Sequence, residues 1–187
     1  MTAKQPYLMP PPPKPLVYMV DCNSIMALDN AHIVPPGEPP RSPAFNPAEQ
    51  RTIWSGLKEL IVGGRLKVIA PVRDELKRHY PAGLKRLRRS GDISLATNNQ
   101  VRAVYRSVIT RHYQHWWPKL RDPKFDPADP WLVAYACHFG YVVVSQELRR
   151  REQQGTKKNH KLPDICDLET VTCWKLRELA KAEGWRL

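Results

Sequence analysis

A chain of 187 residues has room for one compact domain, which excludes a multidomain machine. Hydrophobic residues make up 42% of it, enough for a sizeable core, while 19 prolines against 9 glycines point to extended or irregular stretches. Thirty Lys and Arg oppose 18 Asp and Glu, a formal charge of +12, and such a field attracts polyanions within a Debye length, ~8 Å at physiological salt. Nucleic acid is therefore the first partner to consider. The cysteines, Cys22, Cys137, Cys166 and Cys173, form no C-x-x-C pair, and a chain this large needs no disulfide staples, so a reducing cytoplasm fits. No stretch has the length of a secretion signal or of a membrane span.

In chain order, residues 1–15 read as a proline-rich, flexible leader, and the fold is expected over 16–187. Leu16 to Val20 is short, β-prone and apolar on both faces, as in a strand buried between layers, and it ends at Asp21. A proline-rich loop runs to Pro43. Asn46-Pro47-Ala48-Glu49 supplies an N-cap, a proline at N1 and a capping-box acid, so a helix should run to Gly63-Gly64. Leu66 to Ala70 reads as a second buried strand and Val72 to Tyr80 as the helix after it, with Glu75 about one turn inside.

A basic helical insert occupies about 82–121: a helix at 82–90, then a longer one from Asn99 to Trp117 with Val101, Val104, Tyr105, Val108 and His112 on one face. His112 and His115 fit a basic helix face better than a zinc clip, having no further ligand nearby. Asp129-Pro130 reads as N-cap and N1 of a helix ending at Gly140. Tyr141 to Val144 is a third buried strand, Pro163 to Cys166 a turn, Val171 to Cys173 a last strand, and Trp174 to Ala182 the terminal helix. Strands alternating with helices predict an α/β fold, a three-layer α/β/α sandwich around a mainly parallel sheet, with ligands at the carboxyl ends of the strands.

Four acids have marked positions on this cationic chain: Asp21 after the first strand, Glu75 past the second, Asp129 at a helix start, and Glu147 past the third strand. In a parallel sheet at least three of them lie at one edge, and the fourth can join them from the start of its helix. Converging carboxylates repel one another unless a cation compensates. Mg²⁺ or Mn²⁺ prefers oxygen ligands, and with a substrate phosphate it activates a water for in-line attack. Each acid also has a structural reading: Asp129 as an N-cap, Glu75 paired with Arg78 or His79, Glu147 as a solvated loop acid.

VYMVDCNSIMAL resembles the opening strand and first acid of a PIN domain, VRDELKRH its second acidic helix, and ADPWLVAYACHFGYVVVSQE its third acid, helix, strand and fourth acid. The match spans most of residues 16–175, and the KLPDIC block and extra length resemble a larger PIN-like subgroup related to VapC-type toxins. The resemblance implies a metal-dependent endoribonuclease, the toxin of a toxin–antitoxin pair, with RNA as substrate, a small antitoxin protein as inhibitor and a homodimer as a frequent assembly. Carried over, Asp21, Glu75 and Asp129 hold the metal and Glu147 takes the fourth position, where many relatives have aspartate. Ser24 matches the hydroxyl that supports the first acid, with Asn23 and Asp164 as further supporting candidates.

Of three basic clusters, the one made of Arg149, Arg150, Arg151, Lys157, Lys158 and Lys161 follows Glu147 directly and is expected to grip RNA phosphates, with Arg149, Arg150, Arg151, Lys157 and Lys158 as the contacts. Lys85, Arg86, Arg88 and Arg89, and Arg102, Arg106 and Arg111, read as solvated surface. Trp116 and Trp117 read as core or interface. Two rival functions stand beside the ribonuclease: a catalytically silent RNA- or protein-binding module, and a DNA-directed structure-specific nuclease.

Overall fold

The computed structural model of the chain describes residues 15–29, 44–113, 127–152 and 161–187. Residues 1–14 of the leader, the loop over 30–43, His115, Trp116, Trp117, Lys157 and Lys158, and the end of the basic insert lie outside the described residues.

Four short strands, β1 (Tyr18–Val20), β2 (Leu66–Lys67), β3 (Val142–Val144) and β4 (Cys173–Trp174), form one all-parallel sheet in the order β2-β1-β3-β4. Eight α-helices flank it among the described residues: α1 (Cys22–Leu28), α2 (Pro47–Val62), α3 (Ala70–His79), α4 (Pro81–Ser90), α5 (Asn99–His112), α6 (Ala128–Phe139), α7 (Leu162–Leu168) and α8 (Leu176–Ala182). The fold is the expected three-layer α/β/α sandwich. Every residue of β1 and β3 is buried, because a parallel strand is covered on both faces and must be apolar throughout. No described helix is long and apolar enough to cross a membrane.

Register fixes the functional edge. Tyr18 pairs with Val142 and Val20 with Val144, so the next residues, Asp21 and Ser145, emerge side by side where the strands end. The Asp21 N–H donates to the Val144 carbonyl at 3.0 Å, and the Ser145 N–H donates to the Trp174 carbonyl at 2.9 Å. Because β1 lies between β2 and β3, this is also where the strand order reverses, the place at which open α/β sheets bind ligands.

Local chemistry explains most helix ends. The Asn46 side chain accepts from the Ala48 and Glu49 N–H groups, Glu49 reaches back to the Asn46 N–H, and Gly63 closes α2. Gly140 ends α6 at φ 70°, a conformation that costs glycine nothing. Several expectations need correction. Ala70 opens α3 and does not end the second strand, and Trp174 lies in β4, with the terminal helix starting at Leu176. Helix α1 begins directly at Asp21, where the sequence reads only as a strand end. Residues Leu162–Leu168 form a helix, since Asp164 accepts from the Lys161 N–H at 2.9 Å and starts a turn that continues. The described part of α5 stops at His112, with Tyr113 as its cap. And α6 begins at Ala128 with Pro127 as its cap, so Asp129 is not an N-cap.

The C-terminal helix is tied down twice. Arg65 binds both carboxylate oxygens of Glu183, which also accepts from the buried Tyr18 hydroxyl at 2.6 Å. Trp185 lies against α2 at Gly56, where an added Cβ would stand 2.1 Å from the indole. Alanine in mid-helix would gain about 0.5–1 kcal/mol over glycine, but overpacking costs about 1–3 kcal/mol. Gly56→Ala is therefore expected to lower stability in urea unfolding; an unchanged midpoint would mean that Trp185 yields freely.

Candidate active site

Asp21 is the most constrained acid. As the N-cap of α1 it accepts from the Ser24 N–H at 2.6 Å through Oδ1, and Oδ2 accepts from the Ser145 hydroxyl at 2.6 Å. Ser24 in turn donates its hydroxyl to the Val144 carbonyl at 3.0 Å, locking α1 onto β3. Burial pushes the Asp21 carboxyl up to about 6, against the two serines, which favour the charged form, while the nearby Glu147 charge adds to the rise. Each carboxylate oxygen has a second lone pair, so both remain able to accept a further ligand.

Glu75 comes from the middle of α3. It accepts from the Ala128 N–H at 3.4 Å, so the start of α6 is fastened to α3 through this acid. The alternative partner Arg78 donates instead to the Asp74 carbonyl. Burial raises Glu75, as do the charges of Asp21 and Glu147, while the Ala128 N–H and Arg78 oppose the rise.

Asp129, in the first turn of α6, makes no capping hydrogen bond. Its carboxyl is held well above the usual range by burial and then by Glu147, Asp21 and Glu75, with Lys161 the opposing cation. Glu147 completes the group: Oε1 accepts from the Asn23 amide at 3.3 Å, and Oε2 from the Leu162 N–H at 3.2 Å. The four acids from four separate segments thus share one electrostatic neighbourhood at the carboxyl edge of β1 and β3.

The remaining sequence candidates divide. Ser24 and Asn23 touch the acids, as expected. Asp164 accepts from the backbone N–H groups of Arg150 and Lys161, each at 2.9 Å, and so shapes the segment behind Glu147. Arg149 binds the Asp167 carboxylate at 3.0 Å and the Cys173 carbonyl at 3.3 Å. Its guanidinium is thus paired at the surface, so a phosphate bound there would compete with the Asp167 carboxylate. Arg150 and Arg151 are exposed in a short 3-10 turn.

Sequence reasoning missed two residues. Ser145 holds Asp21, and its signal was a small hydroxyl residue one step beyond the third strand. Tyr113, buried at the end of α5, is kept protonated by burial and by the charges of Asp129 and Glu147; only the packing of α5 on α6 brings it there. The buried amide nitrogen of Gln146, beside Glu147, has no hydrogen-bond partner among the described residues.

The donor set suits a hard divalent cation, being all carboxylate oxygen. Among the described residues, no three acids, histidines or cysteines already form a chelating group. That is compatible with Mg²⁺, which keeps several waters and takes one or two carboxylates together with substrate phosphate.

Fold and site together define an α/β protein with a carboxylate cluster at the switch point of a parallel sheet. Residues 40–187 match the family described as a domain of unknown function, DUF4411, and the chain belongs to that family. Glu75, Asp129 and Glu147 fall inside the matched region, whereas β1 and Asp21 precede it. Comparisons with curated proteins and with solved structures gave no match.

Proposed function

We propose that this chain is a Mg²⁺- or Mn²⁺-dependent endoribonuclease of the PIN type, acting as the toxin of a toxin–antitoxin pair. The observation that carries the reading is the convergence of Asp21, Glu75, Asp129 and Glu147, of which the first three are held above the ordinary carboxylate range by burial and by one another's charge. Such a cluster costs folding free energy, and a binding surface for phosphates gains nothing from acids. When bound, the divalent ion would offset that repulsion and supply an activated water for in-line attack on the phosphodiester.

The chain's own residues do the rest. Ser24 and Ser145 orient Asp21, the Ala128 N–H orients Glu75, and Asn23 and the Leu162 N–H orient Glu147. Lys161 and Arg78 are the cations facing Asp129 and Glu75, suitably placed to accept a substrate's negative charge. The net charge of +12 favours a nucleic acid, the sequence resemblance supplies RNA as substrate, a small antitoxin as partner and a homodimer as assembly, and the scattered cysteines favour the cytoplasm as compartment.

The test is a cleavage assay on labelled single-stranded RNA, with single-stranded DNA and flap DNA in parallel. Cleavage of RNA with Mn²⁺ or Mg²⁺, its loss in EDTA and its return on adding Mn²⁺ are expected. Cleavage confined to DNA would reassign the substrate. RNA binding indifferent to EDTA, with no cleavage of any substrate, would make the protein a binding module.

A further inference from the structure

Helix α4, PAGLKRLRRS, buries Gly83, Leu84 and Leu87 and leaves Lys85, Arg88 and Arg89 exposed. Its close seat depends on Gly83, where a Cβ would stand 2.4 Å from the Tyr80 ring and 3.0 Å from Ile25. Between α4 and the end of α3 lies a hollow of about 440 Å³, lined by Lys77, Pro81, Leu84, Lys85, Arg88 and Arg89. Four of these six are cations and none is an acid. Arg86, their sequence neighbour, is spent elsewhere: it stacks on Trp54 at 4.0 Å and stands 3.7 Å from Asp29. The structure thus separates one structural arginine, Arg86, from the four cations that share the groove, Lys77, Lys85, Arg88 and Arg89.

We infer that this α3–α4 groove binds the sugar-phosphate backbone of single-stranded RNA. Cations in the last turns of α3 and α4 would by themselves suit the negative helix ends. That account does not reach Lys85 in the middle of α4, the absence of any acid in the lining, or the apolar floor of Pro81 and Leu84. Lys85 and Arg89 stand about 6 Å apart along the axis at 1.5 Å per residue, comparable to the spacing of successive phosphates on an extended strand. The apolar floor accepts a ribose or the face of a base between them. Helix α3 gives Glu75 to the acid cluster and Lys77 to the groove, so one element carries both surfaces. The choice of RNA as the polyanion rests on the proposed function, whereas binding itself does not need the acids.

The experiment measures anisotropy of a labelled single-stranded RNA in EDTA, over a salt series, for the full chain and two triple variants. Lys85→Ala/Arg88→Ala/Arg89→Ala removes groove cations; Arg51→Ala/Lys58→Ala/Lys181→Ala removes the same charge from exposed sites on α2 and α8. The groove variant should bind at least about tenfold more weakly and lose about 2 from the slope of log affinity against log salt, at ~0.7 per phosphate contact. The control should change less than about threefold. Equal weakening by both triples would overturn the inference, as would a polyglutamate peptide that binds as tightly as the RNA. Should the triple unfold, the single variants Arg88→Ala and Arg89→Ala carry the same comparison against Lys58→Ala. If no RNA is cleaved yet the contrast holds, the catalytic reading fails and the groove stands. If cleavage is EDTA-sensitive but the triples bind alike, the groove fails and the catalytic reading stands.

Discussion

Replacing Asp21 or Asp129 by asparagine should abolish metal-dependent RNA cleavage while leaving the protein as stable as before, or more so, at pH 7. The two effects have opposite signs because the acids are expensive to ionise where they stand. Asparagine at position 21 keeps an oxygen for the Ser24 N–H and sets an amide toward Ser145, so the geometry around α1 survives. At position 129 no capping bond is lost, since the aspartate makes none. What disappears in each case is an anionic ligand, and metal ligation supplies several kcal/mol of transition-state stabilisation. At 1.36 kcal/mol per tenfold in rate, the loss is about 10² or more. Activity is read by single-turnover cleavage and stability by thermal unfolding of the same samples. Full activity in both variants would defeat the nuclease reading. Loss of activity together with a large fall in Tm would make these acids structural.

The second large effect is a pH dependence of stability that runs against the usual direction for a carboxylate. Asp21 titrates near 6 in the native state and near 3.8 in the unfolded chain. Below both values it is protonated in each state and contributes nothing. Between them the native state keeps a proton that the unfolded state has released, so stability falls as pH rises. Above 6 the deficit levels off at about 3 kcal/mol, taking 1.36 kcal/mol per tenfold difference in proton affinity. Burial gives Glu75 and Asp129 the same sign. Glu169, held low by Arg111, pulls the other way, so the comparison to make is between the native chain and Asp21→Asn across pH 4 to 7. The native chain should lose stability relative to the variant as pH rises, by an amount worth several degrees in Tm for a chain of this size. Mn²⁺ should restore part of that loss at pH 7 and little at pH 5, because an ion competes with the proton for the same oxygens. Parallel curves for the two proteins would mean that Asp21 is not raised.

Both predictions rest on residues that differed in how visible they were beforehand. The apolar runs at Tyr18–Val20 and Val142–Val144 announced parallel strands because a strand covered on both faces has no polar side to show. The Asn46 to Glu49 capping box placed α2 to within a residue. Asp164 has the pattern of a turn because a capped start looks the same whether it opens a turn or a seven-residue helix. Asp129 has the pattern of a cap, an aspartate before proline, and only the backbone of Pro127 and Ala128 shows the helix beginning earlier. The partner of Arg149, Asp167, is not legible in the sequence because it lies 18 residues away on α7.

The amino-acid order by itself determined the alternation of strands and helices, the cationic balance and the placing of four acids just past the strands or at a helix start, since these depend on local periodicity, capping and counts. Tertiary structure alone decided that the acids feel one another's charge, that Ser145 rather than a nearer residue completes the hold on Asp21, and that Arg86 and Arg149 are engaged while Lys85, Arg88 and Arg89 line a groove. The reason is that each of those facts is a distance between segments far apart in the chain. Such distances are set by sheet register and helix packing, which no window of sequence contains.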